Sequence, residues 1–425
     1  MSGTTVQEIT EVKTPFDWKR WVFILGGLAL FALIYYSPAW PDAIDPKGEH
    51  FVLSVQAKGA LAVFAVAATW WIFEVVPIGV TSLLIGTLQA LFLIRKPVVA
   101  FKDFMDPSVL FIFGSVVIGM VFTKTGLTRR IAYKMLSIIG ERTSLIMLGC
   151  FVMTALLTHV MAHTAVAATM FPLLMAIYSL YTTDKTPTRF GKALFIGMAY
   201  VAGAGSIITL LGAARGAVAL AFYKDMMKVD ISFGTLTYYM FPLGWLMVFL
   251  LWGFFMVFCK PEKERIVGLK EKASRMYREL GGITRNEILA AVIIFAAVLL
   301  IALKSFVPAL ENLDKTGILL CSTIAFFVFN ILKIDDLEDI PWNIILLFAG
   351  AMSIGFCLWE TGAAKWLAVN WLVLFQKAPA VVFIMGMSFF VLVMTNFIMN
   401  VAAIAISLPV ALVIAPYLGV AGEVI

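Results

Sequence analysis

Polar residues that can bind an anion or move a proton stand where an apolar chain has least use for them. The stretch Thr154-Ala-Leu-Leu-Thr-His-Val-Met-Ala-His-Thr-Ala-Val-Ala-Ala-Thr-Met-Phe-Pro172 carries His159, His163, Thr164 and Thr169 inside apolar sequence. Imidazoles spaced i, i+4 suit a metal clamp, but no glutamate adjoins them and the other histidine is His50. A metal is therefore not the expected ligand. An imidazole can also take up a proton near neutral pH, or stay neutral and donate one hydrogen bond. A second stretch, Val393-Met-Thr-Asn-Phe-Ile-Met-Asn-Val-Ala-Ala-Ile-Ala-Ile-Ser-Leu-Pro409, echoes the first. Asn400 follows His163 by 237 residues, and Pro409 follows Pro172 by the same 237. A third, Tyr200-Val-Ala-Gly-Ala-Gly-Ser-Ile-Ile-Thr-Leu-Leu-Gly-Ala-Ala-Arg-Gly216, interrupts a spanning run with glycines, Ser206, Thr209 and Arg215. That is the composition of a broken helix.

These residue types fit recognition of an anion. A doubly charged anion loses much hydration at membrane depth and needs donors and positive potential there. Helix N-termini supply both, and glycines let backbone approach a ligand. Arg215 stays charged and can bind carboxylate or sulfate through two parallel hydrogen bonds. An intramembrane arginine is a functional hypothesis by default; alternatively Arg215 snorkels to the outer interface or pairs with Asp225 or Asp230. The expected substrate-binding set is His163, Thr164, Gly205, Ser206, Thr209, Gly212, Arg215, Thr395, Asn396 and Asn400. Asn400, Gly205 and Ser206 are also the positions that would contact a coupling cation, Na+, while His163 would serve H+ coupling. No cofactor and no catalytic residue is expected: there is no Walker A sequence, no dinucleotide fingerprint and no Ser/His/Asp arrangement.

The elements that must position these groups are membrane helices. The chain has 425 residues, 62% of them hydrophobic and 14% charged, with a mean hydropathy of +0.97. Apolar runs of about 18 or more residues recur from end to end, which predicts an all-α polytopic membrane protein in a lipid bilayer. A barrel would alternate polar and apolar residues instead. The net charge of +6 is concentrated in a few loops, as the positive-inside rule requires, and does not predict nucleic-acid binding. Cys150, Cys259, Cys321 and Cys357 have no paired spacing and read as free thiols.

Residues 1–54 form an N-terminal tail and first span, with the N-terminus cytoplasmic and the protein in the cytoplasmic (inner) membrane. Residues 55–258 form a first repeat containing a hairpin, 144–181, and the broken helix, 193–222. Residues 259–286 carry eight basic residues and form a cytoplasmic linker suited to a surface helix. Residues 287–425 form an incomplete second repeat with hairpin 380–415. Each hairpin is expected to be re-entrant, two half-depth helices meeting at its tip, because irregular backbone at this depth must be buried in protein or line an aqueous cavity. Arg142, Lys185, Arg189 and Lys192 put the first mouth in the cytoplasm; Lys377 alone flanks the second, whose mouth is placed outside. Opposite entry is the pattern of inverted repeats. Phe113-Gly114 through Thr125-Gly126 also matches Ala349-Gly350 through Thr361-Gly362 at an offset of 236, a second sign of duplication. A counterpart of the broken helix would fall beyond Ile425, so either the chain is truncated or that part is supplied elsewhere. Glu74, between Trp70-Trp71 and Pro77, lies near a span end and reads first as an interface residue.

These motifs in this order resemble the divalent anion/sodium symporter family, which carries dicarboxylates, citrate or sulfate. The resemblance rests on Trp70-Trp71, Glu74, Pro77, Thr81, the Gly114–Arg130 block, both hairpins, Tyr200–Gly212 and Trp342–Trp366, over residues 55–415. It implies anion transport, sodium coupling and a homodimer. The family has Ser-Asn-Thr at each hairpin tip; here the tips read Ala162-His163-Thr164 and Met399-Asn400-Val401. The family has Thr-Pro-Pro-Asn after the glycine of the broken helix; here Gly212 precedes Ala213-Ala-Arg215-Gly216. The scaffold matches, and the departures fall on ligand and sodium positions.

The expected function is therefore secondary active transport of a small divalent anion, dicarboxylate or sulfate, by an elevator or rocking motion. The alternatives are a sodium-independent or proton-linked exchanger, a truncated or split non-transporting membrane protein, and an intramembrane metalloenzyme resting on the two histidines alone.

Overall fold

The computed structural model describes residues 17–44, 50–182, 187–304, 307–310, 312–375, 379–395 and 400–422. In chain order the helices are α1 (Trp18–Tyr36), α2 (Val55–Ile72), α3 (Ile78–Leu91), α4 (Pro97–Lys102), α5 (Pro107–Thr125), α6 (Leu127–Ile139), α7 (Thr143–Thr158), α8 (His163–Tyr181), α9 (Arg189–Gly205) and α10 (Ala214–Met227). There follow α11 (Phe233–Phe258), α12 (Leu269–Glu279), α13 (Arg285–Leu303), α14 (Lys315–Val328), α15 (Ile334–Glu338), α16 (Trp342–Glu360), α17 (Ala363–Phe375), α18 (Ala380–Met394) and α19 (Asn400–Ile414). A two-residue strand pair, Ala43–Ile44 with His50–Phe51, is antiparallel. Among the described residues seven helices are long and apolar enough to cross a membrane. The protein is an all-α, multi-pass membrane protein, as its hydropathy predicts.

Local chemistry sets the helix ends. Ser54, Thr188 and Asp314 accept from the N–H groups of Ala57, Gly191 and Gly317 at 3.0, 3.0 and 2.8 Å, which satisfies donors that have no partner inside the helix. Thr284 and Glu287 form a reciprocal capping box on α13. The basic stretch Lys124–Arg130 is helical on both sides of Gly126. Gly126 has φ +82, so one residue in the left-handed region turns the chain from α5 into the amphipathic α6. Helix also runs through Pro172 of α8; the break near the first tip falls earlier, at 159–162. The broken helix, expected to end at 222, continues to Met227 as α10.

Lipid is as apolar as a leucine side chain, so helix association rests on close packing and polar links rather than on water exclusion. Small residues provide the close approach. A Cβ on Gly114 of α5 would stand 2.8 Å from Leu319 Cβ of α14, and one on Gly350 of α16 would stand 2.7 Å from Ser82 Cα of α3. Polar links accompany both contacts: Gly79 N–H donates to Asn343 Oδ1 at 2.7 Å, and Thr316 Oγ1 donates to Pro107 O at 2.9 Å. Positions 236 or 237 residues apart thus make corresponding contacts. Backbone shape follows the same offset: φ is +82 at Gly126 and +84 at Gly362, +49 at Leu93 and +55 at Asn330.

Buried Arg95, Asp103 and Glu287 are paired, as desolvation demands. Arg95 donates to Asp103 Oδ2 at 2.5 Å and through Nε to Glu360 Oε2 at 2.9 Å, tying the α3–α4 connection to the end of α16. Arg130 of α6 holds Glu287 of α13 through two bonds of 2.7 and 3.0 Å. The outer faces of α1, α11, α13 and α18 expose large apolar side chains, among them Leu33, Leu250, Phe295 and Phe389.

Candidate anion site

The residues expected to bind an anion come from three helix starts and one helix break. α7 stops at Thr158, residues 159–162 turn, and α8 starts at His163. α9 stops at Gly205, residues 206–213 are not helical, and α10 starts at Ala214. The two breaks lie against one another. The backbone N–H of His163 donates to Gly212 O at 3.0 Å, the His163 ring Nδ1 lies 3.2 Å from the same oxygen, and Thr209 Oγ1 donates to His159 O at 2.8 Å. Glycine is required for this fit. A Cβ on Gly212 would run into Thr158 O and stand 2.8 Å from Ser206 Cα; one on Gly205 would run into Thr158 Oγ1 and stand 2.8 Å from Ala155 Cα.

A cavity of about 940 Å³ opens beside this junction. His163, Thr164, Arg215, Thr395 and Asn400 all line it. Three helix N-termini therefore meet one space: α8 at His163, α10 at Ala214 and α19 at Asn400. Each brings backbone N–H groups free of intrahelical partners and a partial positive charge. Gly205, Ser206, Thr209 and Gly212 do not line the cavity; they build its wall. Asn396 lies outside the described residues.

Arg215 is half-buried and spans the break it follows. Its Nη2 donates to Gly203 O at 3.1 Å and to Ser206 Oγ at 2.9 Å. The guanidinium thus sits at the C-terminal end of α9, the negative end of that helix dipole. Among the described residues no ion pair involves Arg215; Asp230 pairs instead with Lys224 at 2.8 Å. A guanidinium has five N–H donors, and these two bonds leave others for a ligand.

Several cavity residues carry no strong local signal in the sequence. Lys124 of α5 and Asp336 of α15 pair with each other toward one end of the cavity. Glu74, read first as an interface residue, lines the same wall and has φ +45, a left-handed backbone that a non-glycine residue adopts at a cost of about 1–2 kcal/mol. Ser115 lines the cavity and donates to Leu211 O at 3.0 Å. The i, i+4 histidine spacing does not make a clamp, because α7 ends at Thr158 and residues 159–162 turn before α8 starts at His163. His159 sits instead beside Trp245 and Phe241, with ring centroids 5.8 and 6.4 Å away.

Residues 27–424 match the family described as the sodium:sulfate symporter transmembrane region. The chain belongs to that family. It is similar to the sodium-dependent dicarboxylate transporter SdcS of Staphylococcus saprophyticus, 25% identical over 411 residues, covering 91% of this chain and 76% of that one. It is also similar to SdcS of Staphylococcus aureus, 26% identical over 380 residues, covering 84% of this chain and 70% of that one. The symporter family and its named relatives are transporters and not enzymes, and the chain is a transporter in the same sense.

Proposed function

We propose that this symporter-family chain is a secondary carrier of a small divalent anion, a dicarboxylate or sulfate. One observation supports it above the rest: three helix N-termini and Arg215, which has no carboxylate partner among the described residues, border one cavity. Backbone N–H groups and a guanidinium replace the water that an anion gives up. Thr164, Thr395 and Asn400 add side-chain donors. The curated relatives, named as sodium-dependent dicarboxylate transporters, favour the same substrate class.

The transport cycle we infer uses inverted repeats. The 236-residue recurrence of helix contacts and of left-handed residues supports two related halves. The segments 144–181 and 380–415 then act as re-entrant hairpins, entering from opposite sides and moving together against the remaining helices. The Lys/Arg-rich linker and the basic flanks of the first hairpin support a cytoplasmic N-terminus and a location in the inner membrane. Membership of the family supports a homodimer. Arg215 stands where a coupling sodium would bring its charge: it already engages Ser206 and the carbonyl end of α9.

The test is uptake of labelled succinate and sulfate into proteoliposomes holding the full chain, with and without a sodium gradient. Saturable uptake of either anion is expected, with no absolute need for sodium. Failure to move either anion under both conditions sinks the carrier reading. Uptake that is abolished without sodium sinks the role given to Arg215 and leaves the carrier reading standing.

A further inference from the structure

The ion that accompanies the anion is legible in the bonding of His163. Two donors of this residue meet one oxygen: the backbone N–H reaches Gly212 O at 3.0 Å, and ring Nδ1 lies 3.2 Å from it. A carbonyl oxygen only accepts, so Nδ1 carries a hydrogen. The neutral ring then has Nε2 as an acceptor with no hydrogen. The oxygens of a dicarboxylate or sulfate are acceptors too. A neutral His163 therefore cannot bond the ligand of the cavity it lines; it has to gain a proton first.

Its charged and titratable neighbours leave His163 the suitable carrier. α5 contributes Lys124, which is paired with Asp336. The turn after α7 contributes His159, whose ring lies against Trp245 and Phe241 of α11. The α9–α10 break contributes Arg215, a cation at all working pH, and the far end of α9 carries Arg189 and Lys192. α6 carries Arg129, Arg130 and Lys134, with Arg130 paired to Glu287. Glu74 and Asp336 line the cavity, and Asp336 is paired with Lys124. Of the two imidazoles, His163 lines the cavity and His159 does not; an imidazole is the side chain that can gain a proton near neutral pH, and no carboxylate hydrogen-bonds His163 among the described residues.

We propose that His163 is the coupling residue of this carrier, binding a proton on Nε2 as the anion enters and releasing it as the anion leaves. This rests on the divalent-anion reading given above. The proton comes from water on the loading side, forms the Nε2–H bond and returns to water on the unloading side. No other bond changes. Protonated His163 and Arg215 together then match the two charges of the ligand. Asparagine at this tip position keeps a donor and cannot titrate, so the substitution separates proton coupling from binding.

The experiment uses the full chain in sodium-free proteoliposomes loaded with a pH-sensitive dye, with labelled sulfate and labelled succinate as substrates. Sulfate stays doubly charged near neutral pH, which removes protonation of the substrate as a cause. Uptake is expected to rise roughly tenfold between about pH 8 and about pH 6, with lumenal acidification of about one proton per anion. In His163→Asn the remaining uptake is expected to be flat across that range, without acidification; His163→Gln serves if the first variant fails to insert. Sulfate uptake by the unaltered chain without acidification overturns the proposal, as does a His163→Asn chain that still acidifies the lumen. Absence of uptake of either anion at every pH, with or without sodium, overturns the carrier reading and this inference with it.

Discussion

The two polar tips occupy corresponding places in the chain and are built differently. The first, at 159–163, is bonded across to the α9–α10 break by His163 and Thr209 and packed on Gly205 and Gly212. It faces the cavity with an imidazole, next to a guanidinium. The second presents Thr395 and Asn400 to the same cavity, and Thr395 makes the local bond to Leu392 O at 2.9 Å. Both offer helix-end donors, and Arg215 is bonded beside the first. On the proposed carrier reading, anion charge is matched mainly by the first tip and its partner break, while the second completes the enclosure.

Four outcomes would break or sharpen that contrast. The largest effect is expected from Arg215→Gln, which removes a permanent charge from the first tip's partner. A bond to a charged group is worth about 1.5–3 kcal/mol, so apparent affinity for the anion should fall about 10- to 100-fold in uptake assays. Arg215→Lys should recover part of it. Next comes Gly212→Ala. The added Cβ meets Thr158 O and Ser206 Cα, and overpacking of this kind costs roughly 1–3 kcal/mol. Thermal unfolding in detergent should show the loss, while Gly203→Ala, with open space at its Cβ, should show none.

A smaller effect is expected at the second tip. Asn400→Ala removes one neutral donor, worth about 0.5–1.5 kcal/mol, and should weaken uptake several-fold at most. If Asn400→Ala costs as much as Arg215→Gln, the two tips carry equal weight and the contrast fails. The smallest effect lies at Glu262, between α11 and α12, which bonds to the end of α8 and the start of α9. Burial acts upward on the Glu262 carboxyl, but the N–H of Arg189 at 2.5 Å, the Tyr181 hydroxyl at 2.8 Å and the N–H of Phe190 outweigh it. They hold Glu262 below the usual carboxylate range. A carboxylate lowered on folding stabilises above its unfolded value, about 4.3, and that contribution fades as pH falls through the folded value. Glu262→Gln should be slightly less stable at neutral pH, and the difference should vanish in acid. A difference that persists in acid would assign the effect to packing.

Particular residues show what was legible. Helices such as α2, α5 and α16 were predictable because each apolar run has about the length a bilayer demands. Arg215 and His163 were found because a polar group in an apolar run is conspicuous. Glu74 was weighted toward an interface role, since exposure at a span end cannot be told from exposure to a cavity in one dimension. The turn at Gly126 between α5 and α6 is hard to read from composition, because a single left-handed glycine can redirect a helix without interrupting its composition.

The sequence alone determined the class, the family likeness and the identity of the polar groups at each tip, because hydropathy and motif spacing are properties of consecutive residues. Tertiary structure decided what those groups bond to. That Arg215 rests on Gly203 O and Ser206 Oγ, that Gly212 O receives both His163 donors, and that Lys124 meets Asp336 depend on backbone breaks facing one another. Hydrogen bonds act over about 3 Å, a scale on which separation along the chain carries no information until the helices have packed.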